Sequence, residues 1–307
     1  MNTIKHIQSC IVGTVAMLGI AGCSKTATSG RPHLSLTPAT MSRIGTVGQR
    51  FQSYNIEMLE VTGGDFWKPY SKTENAVPKP AQANSNIPAG MNPDMYEYRR
   101  PIDLTNLRRR KLAAALGPAY VRVSGTWANT TYFQDSNGPA RKKPPAGFNG
   151  VLTRQQWKGV IDFANAVNAK VVTSFATSVG TRNDAGKWTP KEARKVLAYT
   201  KSIGGTISAA EFMNEPTIAS MGGAPKGYDA ADYGRDLDVF RSFIKKTAPS
   251  ITILGPGSVG EGGALEMPPW KSLKSEDLMK AAGPVFDVFS YHFYGTVSKR
   301  CAKMGAH

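Results

Sequence analysis

The chain has 307 residues, 41% of them hydrophobic and 20% charged, a balance that fits a folded protein and excludes a disordered tail. Lys and Arg number 38 against 22 Asp and Glu, a formal charge of +16, but the basic clusters (Arg99-Arg100, Arg108 to Lys111, Arg141 to Lys143, Lys245-Lys246) are scattered and carry no aromatic or finger motif, so no nucleic-acid partner is expected. Four His and three Cys are too few for a zinc ribbon or a multi-disulfide scaffold.

At the N-terminus, Lys5 and His6 precede an apolar run from Ile11 to Ile20 that is too short and too Gly-rich to span a membrane stably. The run ends Ile20-Ala21-Gly22-Cys23, small residues before a Cys, which resembles the bacterial lipobox. The expectation is a lipoprotein signal peptide over 1–22, with cleavage before Cys23 and acyl chains on its sulfur. A lipidated Cys and polar tether over 23–32 would then hold an exported domain at the cell envelope, on the periplasmic side or at the outer membrane. An ordinary secretion signal that contains Cys23 by chance is the alternative. For an exported basic protein, an anionic polysaccharide is the natural partner.

Apolar and β-branched runs predict strands at Phe51–Leu59, Ala119–Val123, Lys170–Phe175, Ile207–Phe212, Ile251–Leu254 and Val285–Tyr291. Helical patterns lie between them. Trp157, Val160, Ile161, Ala164 and Val167 repeat at helical spacing, as do Tyr233, Leu237, Phe240 and Ile244 ahead of Pro249. Thr189-Pro190-Lys191-Glu192 reads as a capping box with Pro at the first helical position, and Gly204-Gly205 closes that helix. Two long segments rich in Pro, Asn and Lys, Gly63 to Arg100 and Asn129 to Gly150, each follow a strand and are expected to wall a cleft.

Strand and helix alternate, which predicts an α/β fold with a parallel sheet or barrel. Each barrel unit takes about 30 residues, so the thirteen residues after Tyr294 leave no room for two further units. The expectation is either an open six-stranded sheet or a (β/α)8 barrel truncated after its sixth strand.

The sharpest chemical signal is Ala210-Glu211-Phe212-Met213-Asn214-Glu215-Pro216. A strand running into Asn-Glu-Pro puts Asn214 and Glu215 at its C-terminal lip, where Pro216 ends the ladder. A partly desolvated carboxylic acid there could protonate a leaving oxygen.

On these residues the chain resembles the retaining glycosidases of the (β/α)8 clan, and more narrowly glycoside hydrolase family 79, the heparanase and β-glucuronidase family. Ala119-Tyr120-Val121-Arg122-Val123-Ser124-Gly125-Thr126 is similar to the family's second strand. Val171 through Pro216 follows its third and fourth, Ile253-Leu254-Gly255-Pro256 its fifth, and Ser290-Tyr291-His292-Phe293-Tyr294 its sixth; Met213 stands where relatives often have Gly. The resemblance implies a barrel over 51–307 and, over 33–50, a strand that joins an accessory β-sandwich absent from this sequence. It implies hydrolysis of β-glucuronides or uronic-acid polysaccharides with retention and without metal or organic cofactor. Glu215 would be the acid/base and Asn214 would hold the sugar 2-hydroxyl. Glu57, Thr126, His292 and Tyr294 would line the same pocket.

A retaining mechanism needs a second carboxylate about 5 Å from the first. The clan's nucleophile ends the seventh strand, which falls beyond His307 on the same spacing, so the chain alone is expected to be inactive. Glu261 and Glu266 follow the fifth strand, but the resemblance gives them no role. Cys301 would be either a free thiol or the partner of a residue further on. A solute-binding lipoprotein or a non-catalytic glycan-binding protein remains the alternative reading.

Overall fold

The structure, a computed structural model, describes residues 37–69, 86–88, 90–261 and 272–294. The leader, Cys23 with its tether, Glu266 and Cys301 lie outside the described residues. The chain divides into two units, Met1–Thr46 and Val47–His307. In the first, the described residues form a single 3-10 turn, Pro38–Thr40, on an exposed segment. The strand expected over 33–50 is absent from its described part, 37–50, where no neighbouring strand takes up its backbone groups.

The second unit is built on six parallel strands in the order β1 (Ser53–Glu57), β4 (Ala119–Ser124), β7 (Ala169–Ser174), β8 (Ile207–Glu211), β9 (Thr252–Val259) and β10 (Val288–His292). Sequence neighbours pair throughout, and the result is the curled half-barrel of an α/β fold. All six expected strands are present with shifted ends. β1 stops at Glu57 because Glu57 and Glu60 form a capping box that starts α1 (Met58–Thr62). β9 instead runs on through Gly255-Pro256, a cis peptide, to Val259.

The two expected cleft segments carry structure of their own. The first contains an antiparallel pair, β2 (Gly64–Trp67) with β3 (Tyr96–Arg99). The second contains β5 (Thr131–Gln134), which pairs in parallel with β6 (Gly150–Thr153).

The central strands β4, β7, β8 and β9 are largely buried, and helices flank the sheet. These are α2 (Leu107–Ala114), α3 (Arg154–Ala166), α4 (Lys191–Ser202), α5 (Ala230–Thr247) and α6 (Ser275–Ala282). The stripe Tyr233, Leu237, Phe240 and Ile244 on α5 is fully buried, and Phe240 packs with Phe175, Trp188 and Phe212. On α3, Trp157 is buried and its indole N–H donates to Thr200 Oγ1 at 2.7 Å. The capping box expected at α4 does not form. Pro190 occupies the cap, Thr189 Oγ1 donates to the Thr181 carbonyl, and Glu192 is drawn inward against Lys195. The Thr189 hydroxyl serves the loop after β7 instead of the helix.

That loop is tied to α5 by a buried ion pair. Asp236 (0% exposed) accepts from Arg182 Nη1 at 2.5 Å, from the Trp188 backbone at 3.2 Å and from Tyr228 OH at 3.2 Å. Arg182 also lies over the Tyr228 ring. Removing the acid strands a buried guanidinium, so Asp236→Ala is expected to cost about 3–5 kcal/mol, read as a fall in the urea midpoint at unchanged slope.

Candidate active site

β8 carries an apolar run outward to Glu211, after which its pairing with β7 ends. Phe212 and Met213 stay buried. Asn214 follows, and Glu215 then turns into the left-handed region at φ +52, a conformation costly for a residue with a Cβ. Its amide donates to the Gly257 carbonyl of β9 at 3.1 Å, and Pro216 opens a short 3-10 turn.

The Glu215 carboxyl is gripped on both oxygens. Thr126 Oγ1 donates to Oε2 at 3.4 Å, and His292 Nδ1 stands 3.0 Å from Oε1. Thr126 begins the turn after β4, and His292 ends β10. Burial works against a charge on His292, yet the carboxylates of Glu211 and Glu215 outweigh it and hold the imidazole protonated up to about 9. Arg122 opposes this rise, its Nη2 standing 3.3 Å from His292 Nε2. Nδ1 is the ring nitrogen that faces Glu215.

Arg122, on β4, organises the floor. Its Nη2 donates to Glu211 Oε2 at 2.7 Å and to Asn214 Oδ1 at 2.8 Å, and its Nη1 donates to Asn55 Oδ1 at 3.1 Å. Glu211 is 2% exposed. Burial alone would raise its carboxyl, but His292 and Arg122 hold it down to about 2. Because Arg122 can only donate, it fixes the Asn214 amide with Oδ1 toward itself. Among the described residues, the buried Asn214 Nδ2 has no hydrogen-bond partner.

Glu57 closes the site from β1. Asn55 Nδ2 donates to its Oε1 at 2.9 Å, and its side chain also caps α1. Burial pushes Glu57 up to about 7; Arg122 resists and the charge of Glu215 adds to the rise. Tyr294 is 72% exposed. Partial burial and the charges of Glu215 and Glu57 raise it to about 12.

Glu215, Asn214, Glu57, Thr126, His292 and Tyr294 are thus brought to one place by β1, β4, β8 and β10, whereas Cys23 lies outside the described residues. Glu261 is tied to the start of α6, accepting from the Ser275 backbone at 2.6 Å and from its hydroxyl. Arg122 and Glu211 were not among the residues singled out from sequence. Each is a lone charge inside an otherwise apolar strand, and such a charge requires a partner. Among the described residues no group of three or more His, Cys, Asp or Glu is placed to hold a metal ion.

Residues 102–301 match the family described as glycosyl hydrolase family 79, N-terminal domain. Among solved structures, AbfB, a family 51 α-L-arabinofuranosidase from Bifidobacterium longum, is similar at 16% identity and TM-score 0.41, with 64% of this chain and 40% of that one covered. An α-L-arabinofuranosidase from Thermotoga maritima is similar at 18% and 0.41, covering 62% and 40%. A 4-O-α-L-rhamnosyl-β-D-glucuronidase from Fusarium oxysporum 12S is similar at 13% and 0.38, covering 57% and 36%. The chain therefore spans about two fifths of the length of these structures. Among curated proteins, none matched.

Proposed function

The chain belongs to glycosyl hydrolase family 79, and from that premise we propose that it carries the acid/base half of a retaining glycosidase acting on β-glucuronides or uronic-acid polysaccharides. The observation that supports this most is the Glu215 carboxyl, held at the strand lip between the Thr126 hydroxyl and His292 Nδ1.

The proton that catalysis moves passes through Glu215, whose Oε1 faces His292 Nδ1 at 3.0 Å. Glu215 delivers it to the glycosidic oxygen as the bond to the anomeric carbon breaks and a carboxylate nucleophile attacks that carbon. In the second step Glu215 takes a proton from water, which displaces the nucleophile. Asn214 Nδ2, which has no acceptor among the described residues, donates to the sugar 2-hydroxyl. Glu57, with a carboxyl that titrates near 7, exchanges hydrogen bonds with a neighbouring hydroxyl. The nucleophile lies outside the described residues. Of the carboxylates beside Glu215, Glu211 is neutralised by Arg122, and Glu57 is tied to Asn55 and to the start of α1. We also propose export and a lipid anchor at Cys23, which rest on the Ile20-Ala21-Gly22-Cys23 motif.

The test is phenyl β-glucuronide offered to the 307-residue chain with and without added formate. Formate can stand in for a missing carboxylate nucleophile. Turnover with formate is the expected result. Retaining turnover without formate would place the nucleophile inside the chain. Saturable sugar binding with no turnover in either condition would sink the catalytic reading in favour of a glycan-binding protein.

A further inference from the structure

Beyond Glu211 the β8 backbone has left its ladder, yet Asn214 and Glu215 stand at fixed positions. Something other than a strand must hold them. The Asn129 side chain, 1% exposed, meets the Asn214 main chain at both of its polar groups: the Asn214 N–H donates to Asn129 Oδ1 at 3.0 Å, and Asn129 Nδ2 donates to the Asn214 carbonyl at 2.8 Å. One amide thus supplies the pair of bonds that an adjacent strand would supply. On the following residue, Gly257 takes the Glu215 N–H. The chain turns left-handed between these two holds.

Asn129 is itself immobilised. Its carbonyl accepts from the Thr177 N–H at 2.9 Å and the Ser178 N–H at 3.0 Å, which ties the turn after β4 to the loop after β7. The same turn, Thr126–Thr130, carries Thr126, the donor to Glu215 Oε2. The space beside the amide is kept clear by Gly222, where a Cβ would fall 2.5 Å from Asn129 Nδ2. An Asp in place of Asn129 would set an acceptor against the Asn214 carbonyl, and a Ser could not reach both groups.

We propose that Asn129 is the positioning residue for the acid/base: it replaces the missing strand at Asn214 and so sets where the Glu215 carboxyl stands. Its meaning for catalysis rests on the acid/base reading of Glu215; its geometric role does not.

The test uses the full chain labelled with [13Cε1]histidine, in which His292 is one of four histidines. Glu211, Glu215 and Arg122 are the charged groups around that ring. In Asn129→Ser, Glu215 is expected to drift from His292 Nδ1. The His292 titration should then fall by about one unit or more while the other histidines are unmoved. In formate-assisted hydrolysis, kcat should fall about tenfold to a hundredfold with little change in KM. A folded Asn129→Ser with an unchanged His292 titration would overturn the proposal.

Should that variant fail to fold, Gly222→Ala keeps the Asn129 side chain and displaces its amide with one methyl group. A smaller fall in the His292 titration is expected there, and no fall would be equally fatal. If the parent hydrolyses nothing, the enzymatic reading fails, while the titration still decides whether Asn129 places Glu215.

Discussion

Glu215→Gln is expected to cut formate-assisted hydrolysis of phenyl β-glucuronide by about 10²–10⁴-fold, the usual worth of a positioned proton donor. Phenoxide is a poor leaving group and departs only with a proton. 2,4-Dinitrophenoxide leaves unaided, so the same variant should lose less than about tenfold on that substrate. Gln keeps the shape and still accepts from Thr126, whose bond to Oε2 spans 3.4 Å. The split between the two substrates therefore reports the missing proton and not a collapsed site. Equal losses on both would mean that Glu215 serves geometry or binding, and unchanged rates on both would remove it from the mechanism.

The parts of this site that sequence made legible are those carried by local pattern. Apolar and β-branched runs located all six strands, and the Asn214-Glu215-Pro216 step at the end of β8 located the lip. The residues missed act across the sheet. Arg122 and Glu211 lie 89 positions apart and meet only because β4, β7 and β8 pair in sequence order. Asn129 gives no local signal, since a buried amide that serves another strand's backbone looks the same in sequence as a turn residue. The capping box read at Thr189 failed for a related reason. A Thr hydroxyl bonds whichever backbone carbonyl tertiary packing brings nearest, and here that is Thr181. The start of α1 was missed in the opposite direction: Glu57 lies in an apolar run that reads as strand to Leu59, but its carboxyl pairs with Glu60 in a reciprocal cap and ends β1 early.

Gly125→Ala should damage both the fold and the site, and the reason is a single close approach. Gly125 lies at φ +103 and ψ 173, a region that residues with a Cβ hardly enter, so the backbone alone is expected to cost about 1–3 kcal/mol. The added methyl would also sit 1.6 Å from Glu57 Oε2 and 2.6 Å from its carboxyl carbon. Glu57 cannot swing aside freely, because its carboxyl accepts from Asn55 Nδ2 and caps α1. Displacing it gives up that cap, worth about 1 kcal/mol more. Asn55 also accepts from Arg122, so the disturbance reaches the Glu211 pair and the Asn214 amide. The expected result is a lowered urea midpoint together with weaker binding of glucuronide. A double-mutant cycle separates the two causes: in a Glu57→Ala background the clash is gone, and Gly125→Ala should then cost only the backbone strain. If Gly125→Ala costs the same with and without the Glu57 side chain, the carboxyl does not stand over Gly125. Its place in the site beside Glu215 would then have to be given up.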